Sequence, residues 1–112
     1  MTKFVAARNR GFFMNFENGF GISVQWGTFN YCEKKNLGAD GDEETKTNRW
    51  ESRTAEIAVF EGKRMINIST DGIDAVIGWL GTDDVAKIIT IVQSAHSDNE
   101  EEMVEKIKSL GL

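Results

Sequence analysis

The chain contains no proline. Its turns must therefore be built from residues that reach turn conformations by other means, chiefly Gly, Asn and Asp. A single cysteine, Cys32, excludes an internal disulfide and fits a reducing compartment. With only one histidine, His96, beside it, no His/Cys zinc set can form within one chain. No apolar run approaches the ~20 residues needed to cross a bilayer, so no membrane association is expected. The opening residues, MTKFVAARNRGFF, carry basic side chains but no apolar run ending in a small-residue cleavage site. That argues against a signal peptide and for a cytoplasmic protein.

Two further shortages bear on ligands. The glycines Gly19, Gly21 and Gly27 are strung along one hairpin and form neither a P-loop nor a dinucleotide fingerprint, and no cofactor is expected. Positive charge is also short: 13 Lys and Arg stand against 18 Asp and Glu, a net charge of −5. General nucleic-acid binding is disfavoured, because phosphate contacts depend on Lys and Arg. Lys3, Arg8 and Arg10, and then Arg49, Arg53, Lys63 and Arg64, still leave a local anion site open.

What is present reads as one folded domain over residues 1–112. The length suffices for one core, and 40% hydrophobic with 28% charged residues is ordinary for a globular chain. The stretch FFMNFENGFGISVQW (Phe12–Trp26) organises it. Phe12, Met14 and Phe16 alternate on one side of Asn18-Gly19; Phe20, Ile22, Val24 and Trp26 alternate on the other, a strong hairpin signal. A two-residue loop would put the two apolar rows on opposite faces. A three-residue loop, Glu17-Asn18-Gly19, sets Phe16 against Phe20, Met14 against Ile22 and Phe12 against Val24. Burial should select the latter, with Gly19 left-handed in a bulge. Each buried side chain would contribute roughly 1.5–3 kcal/mol before entropy is charged.

Lys3–Ala7 reads as a short edge strand ahead of this hairpin. After it, residues 27–49 lose the pattern, a loop long enough to be functional or disordered; Asn36–Lys46 is polar enough to be mobile. Ala55, Ile57 and Val59 then alternate, and a Glu61-Gly62 turn would set Ile57 opposite Ile66 and Ala55 opposite Ile68. Asp71-Gly72 marks another turn. Ile73–Leu80 is apolar on both sides and reads as a central strand. Thr82 is the expected N-cap of a helix whose face is Val85, Ile88, Ile89, Val92 and Ala95. Ser97 and Glu100 suggest a capping box for a second helix, faced by Met103 or Val104, Ile107 and Leu110 and ended by Gly111. The expected architecture is α+β: an antiparallel sheet of about five strands, a β-meander over residues 1–80, with two C-terminal helices from residues 82–112 packed on one face.

Chemistry-bearing groups are few. His96 reads as a solvated residue near a helix end, with a general base as the alternative. Cys32 reads as a small buried anchor; a reactive thiol would need positive neighbours to lower its pKa. Asp40, Asp42, Glu43 and Glu44 lack the spacing of a calcium loop, and no metal site is expected. The grouping of interest flanks the long loop. Trp26, Phe29, Tyr31, Arg49, Trp50 and Arg53, with Asn30 beside Tyr31, meet if the loop's two ends are neighbours. Aromatic faces with guanidinium groups suit a stacked base with its phosphate, or a protein hot spot. The bland alternative is that the tryptophans are core and the arginines cover them.

The segments FENGFGISVQWGTFNYC (Phe16–Cys32), EIAVF (Glu56–Phe60) and WLGTDDVAK (Trp79–Lys87) resemble small uncharacterised phage and prophage proteins. The resemblance spans about half the chain, carries no activity and transfers no site residue. It implies an accessory protein acting in the bacterial host cytoplasm. The expected function is then non-enzymatic binding, with an anti-defence role in view. The protein would capture a host protein or sequester a small anionic, nucleotide-like ligand, as a homo-oligomer. The alternative is an assembly protein that pairs through its sheet edges.

Overall fold

A computed structural model of the chain describes residues 2–36, 46 and 49–112. Among these residues six strands form one antiparallel sheet: β1 (Lys3–Ala6), β2 (Gly11–Asn15), β3 (Phe20–Gln25), β4 (Ala55–Glu61), β5 (Arg64–Ile66) and β6 (Ile77–Leu80). The order is β1-β2-β3-β4, and β5 and β6 then share the far side of β4, one after the other. Helices α1 (Thr82–Ser94) and α2 (Glu100–Lys108) close the chain. The α+β architecture expected from the sequence is the one found.

The organising hairpin has the three-residue loop. Phe12 pairs with Val24 and Met14 with Ile22. Phe16 N–H donates to Phe20 O at 2.9 Å, and Gly19 takes a φ of 90°. Register extends this parity across the sheet, so Met14, Ile22, Val59 and Ile66 form one row and Phe12, Val24, Ile57 and Ile77 the next. Both rows face the helices. Ile88 and Val92 of α1 and Met103 and Ile107 of α2 are fully buried against them, on the helical stripes read from the sequence.

Four details differ from expectation. The β4–β5 turn is Gly62-Lys63, one step later, so Val59 rather than Ile57 meets Ile66. Gly62 sits at a φ of 60° at the first turn position, where a tight hairpin favours glycine. The displaced pairing shifts by two residues, so it keeps every side chain on its expected face. Ile73–Leu80 is not a central strand: only Ile77–Leu80 pairs, on the outer side of β4, and Ile73 is exposed. The Asp71 carboxylate holds the Ile73 and Asp74 N–H groups in a turn, which keeps that part off the ladder. The cap of α1 is Gly81, with Thr82 already helical; Asp83 and Asp84 supply the negative charge at that end. The cap of α2 is Asn99 rather than Ser97. Its side chain accepts from Glu102 N–H, as in a capping box two residues later, while the Glu102 carboxylate takes the Asn99 side-chain amide rather than its backbone N–H. Of the stretch expected to be mobile, residues 37–45 lie outside the described residues.

One contact crosses the fold. The Asn18 side chain accepts from Phe20 N–H inside its own turn. Its amide nitrogen meanwhile donates to Val92 O and Ala95 O, each at 2.9 Å, and to Gln93 O at 3.2 Å. These carbonyls lie at the C-terminal end of the helix, where acceptors outnumber main-chain donors; Val92 O also takes Ala95 N–H at 3.4 Å. The hairpin tip thus caps α1.

Candidate functional site

The two ends of the long loop are neighbours, because two indoles tie them together. Trp26 Nε1–H donates to Trp50 O at 3.2 Å, and Trp50 Nε1–H donates to Trp26 O at 3.0 Å. Trp26 continues the helix-facing side of β3, where its ring meets Phe12 edge-on at 6.2 Å. Trp50 enters the sheet region just before β4. The Lys34 ammonium lies 5.4 Å from the centre of the Trp50 ring.

Between this clasp and the first turn of α1 lies an open cleft of about 350 Å³. Its floor is apolar: Phe12, Val24, Ala55, Leu80 and Val85. The two tryptophans form a wall. Glu51, Ser52, Arg53, Thr54 and Thr82 stand around the rim. The position follows from topology. Strand β6 ends at Leu80 and α1 starts at Thr82, so the helix's first turn has to rise at the same end of the sheet as Trp26.

The rim charges are already engaged. Arg53 Nε lies 3.4 Å from the Glu33 carboxylate, which also accepts Arg53 N–H at 2.5 Å. That backbone bond, with the guanidinium beside it, holds the Glu33 carboxyl below its ordinary value. Arg49 pairs with Glu51 at 3.1 Å, on largely exposed side chains, and does not line the cleft. Asp83 and Asp84 occupy the first turn of α1, where an anion would otherwise be drawn.

Asn30 and Tyr31 serve a different purpose. Glu56 points to the face of the sheet opposite the cleft-lining Ala55. It accepts Tyr31 N–H at 2.9 Å and the Asn30 amide at 3.3 Å. Asn30 also accepts Gly27 N–H. Tyr31 O accepts Trp79 N–H at 2.9 Å, and a Cβ on Gly78 would come within 2.4 Å of Tyr31 Cβ, so only glycine lets this loop lie so close. Trp79 adopts a φ of 60°, rare for a bulky residue, at the bulge where β6 advances three residues against two of β4. Cys32 is fully buried beneath the same loop, donating to Gly27 O, and burial pushes its thiol pKa up. It is an anchor and not an exposed thiolate. Phe29 stands largely exposed at the loop surface.

The sequence-derived grouping therefore divides. Trp26, Trp50 and Arg53 line the cleft; Arg49 is outside it; Asn30 and Tyr31 pin the loop on the other face. Phe12, Val24, Leu80 and Val85 were legible as core residues, and nothing in their alternation marked them as a floor left partly uncovered. His96 lies past the opposite end of α1, exposed, near Asn99 and Lys106. Among the described residues no cluster of three His, Cys, Asp or Glu side chains has metal-binding geometry. Comparison of the chain with protein-family models, with curated proteins and with solved structures finds no match.

Proposed function

We propose that the protein is a non-enzymatic binding module whose cleft receives an apolar side chain, flanked by basic residues, from a partner protein. The observation that carries this is the pairing of an apolar floor and indole wall with a rim whose one guanidinium, Arg53, already holds a carboxylate. A nucleotide-like anion would have to displace Glu33 from Arg53 and meet Asp83 and Asp84 at the helix start. A cationic neighbour of an apolar anchor meets Asp83 and Asp84 instead, and the chain's net charge of −5 acts in the same direction. Aromatic walls of this kind are where binding energy concentrates in protein interfaces. If the phage resemblance holds, the partner is a bacterial host protein and the role one of interference with it.

The test is an NMR titration of the isotopically labelled protein with a short Lys/Arg-flanked Leu or Phe peptide, and in parallel with a nucleoside monophosphate. The expected result is movement of the Trp26 and Trp50 indole N–H signals with the peptide alone, abolished by Val85→Trp, which fills the floor. Movement with the nucleotide alone would turn the reading to sequestration of an anion.

A further inference from the structure

The two outer edges of the sheet differ in how they are protected. On the far side of β4, β5 is three residues long and its Arg64 is held by Glu61 and Glu100, while β6 carries the bulge at Trp79. Short strands, charge and bulges are the devices that keep an edge from pairing. Strand β1 is also short and carries one charge, Lys3, but its exposed centre is the apolar pair Phe4-Val5. Its four residues pair with β2 in unbroken register, without a bulge. All four are exposed, and Phe4, on the helix-facing side beside Met14, is 80% exposed because the helices do not extend over it.

The direction of the free backbone groups follows from the ladder. Ala7 N–H donates to Gly11 O across the β1–β2 pair. In an antiparallel ladder alternate residues bond to the same side. Val5 and Lys3 therefore bond inward, and Thr2, Phe4 and Ala6 turn their N–H and C=O groups outward. Among the described residues none of these three has a backbone partner on that side.

We propose that this edge pairs antiparallel with β1 of a second copy, about a two-fold axis at Phe4. Phe4 then exchanges both backbone hydrogen bonds with the partner's Phe4, and Ala6 with the partner's Thr2. A two-fold axis normal to the sheet sets a residue against its own copy; centred on Phe4 it engages Thr2, Phe4 and Ala6 of both copies in hydrogen bonds, whereas centred on Val5 it would engage only Phe4 and Ala6. Phe4 is the outward residue at the centre of the strand. The two exposed rings come side by side on the helix-facing surface. Charge supports the antiparallel sense. The loop of Arg8 and Arg10 lies at one end of the edge and Glu17, beside Thr2 and Lys3, at the other. Antiparallel pairing sets each basic loop toward the end of the other copy that carries Glu17 as well as Lys3, whereas parallel pairing would set Arg8 and Arg10 of one copy beside those of the other. The interface is distinct from the cleft, although the Ala6 end of β1 pairs with Phe12 of the cleft floor.

Sedimentation velocity across roughly a hundredfold range of concentration reads the mass directly. The expected result is conversion from the 12.5 kDa chain to a species of twice that mass. Phe4→Lys, at an exposed position that does not disturb folding, weakens association at least about tenfold. Oxidation of Phe4→Cys reads the register, because paired residues lie about 5.5 Å apart at Cα, within disulfide reach. Phe4→Cys gives a covalent dimer, while Ala6→Cys, displaced by roughly 14 Å along the strand, does not. A protein that stays monomeric throughout overturns the proposal. So does a dimer indifferent to Phe4→Lys, or one in which Ala6→Cys links as fast as Phe4→Cys; an edge that pairs only with a foreign extended peptide would give the first of these.

Discussion

The two ends of the β2–β3 hairpin use the same bond to opposite effect. At the tip, one amide donates to main-chain carbonyls at the end of α1; at the open end, two indoles donate to main-chain carbonyls across the mouth of the long loop. Each joins segments far apart in sequence. The Asn18 amide is compact and lets the helix end settle directly on the turn. The indoles are broad plates, and they stand as one wall of a cleft of about 350 Å³ between themselves and the first turn of α1. Side-chain size, rather than hydrogen-bond chemistry, decides which end of the sheet closes and which stays available to a ligand.

The sharpest way to break this comparison is to invert the donor at the closed end. Asn18→Asp keeps the oxygen that accepts Phe20 N–H, so the turn survives locally. It replaces the donor to Val92, Gln93 and Ala95 carbonyls with a negative charge at the negative end of a helix dipole. The expected loss is about 2–4 kcal/mol in urea unfolding at neutral pH, with Asn18→Ala falling short of it. A loss no larger for Asp than for Ala would mean that the cap is incidental.

At the open end the matching change is gentler. Trp50→Phe retains an aromatic wall and removes one donor, leaving Trp26 O to solvent. The expected cost is about 1 kcal/mol, since a half-buried carbonyl can recruit water. Binding of the cationic apolar peptide should persist within a few-fold. If Trp50→Phe costs more than Asn18→Asp, the indole clasp rather than the cap is the main tie, and the contrast between the ends reverses.

These two sites were unequally legible in the sequence. Parity at Asn18-Gly19 fixed the hairpin register, because only one loop length buries Phe16 with Phe20 and Met14 with Ile22. The same argument left β4–β5 ambiguous by two residues, since such a shift leaves all faces unchanged. Asn18 announced itself as a turn former, but its bond to a helix 74 residues away carries no local signal. Trp26 and Trp50 could be paired because a loop must return to its sheet. That Asn30 and Tyr31 would fall on the opposite face followed from the inward commitment of Glu56, which its alternation with Ala55 and Ile57 implied only as exposure. Ile73–Val76 read as strand from composition, where the Asp71 carboxylate instead captured the backbone.

The smallest effect separates the two ends by titration. Glu33 is held below its ordinary value of 4.5, first by Arg53 N–H and then by the Arg53 guanidinium. A carboxylate whose folded pKa is depressed contributes fully above its unfolded value, and its contribution is lost as pH falls through the folded one. Asn18 does not titrate. Acid below about pH 4.5 should therefore release the Glu33–Arg53 tie at the cleft rim while the capped tip is still intact. In an NMR pH series the Arg53 amide signal is expected to move first, followed by the Trp50 indole, with the Asn18 side-chain amide fixed until global unfolding. Glu33→Gln should leave the Arg53 amide insensitive to acid over that range, whereas Asp71→Asn, which removes a second depressed carboxylate in a separate turn, should not. Simultaneous movement of the Arg53 and Asn18 signals would show that the ends yield as one unit, and that the open end owes its openness to something other than looser attachment.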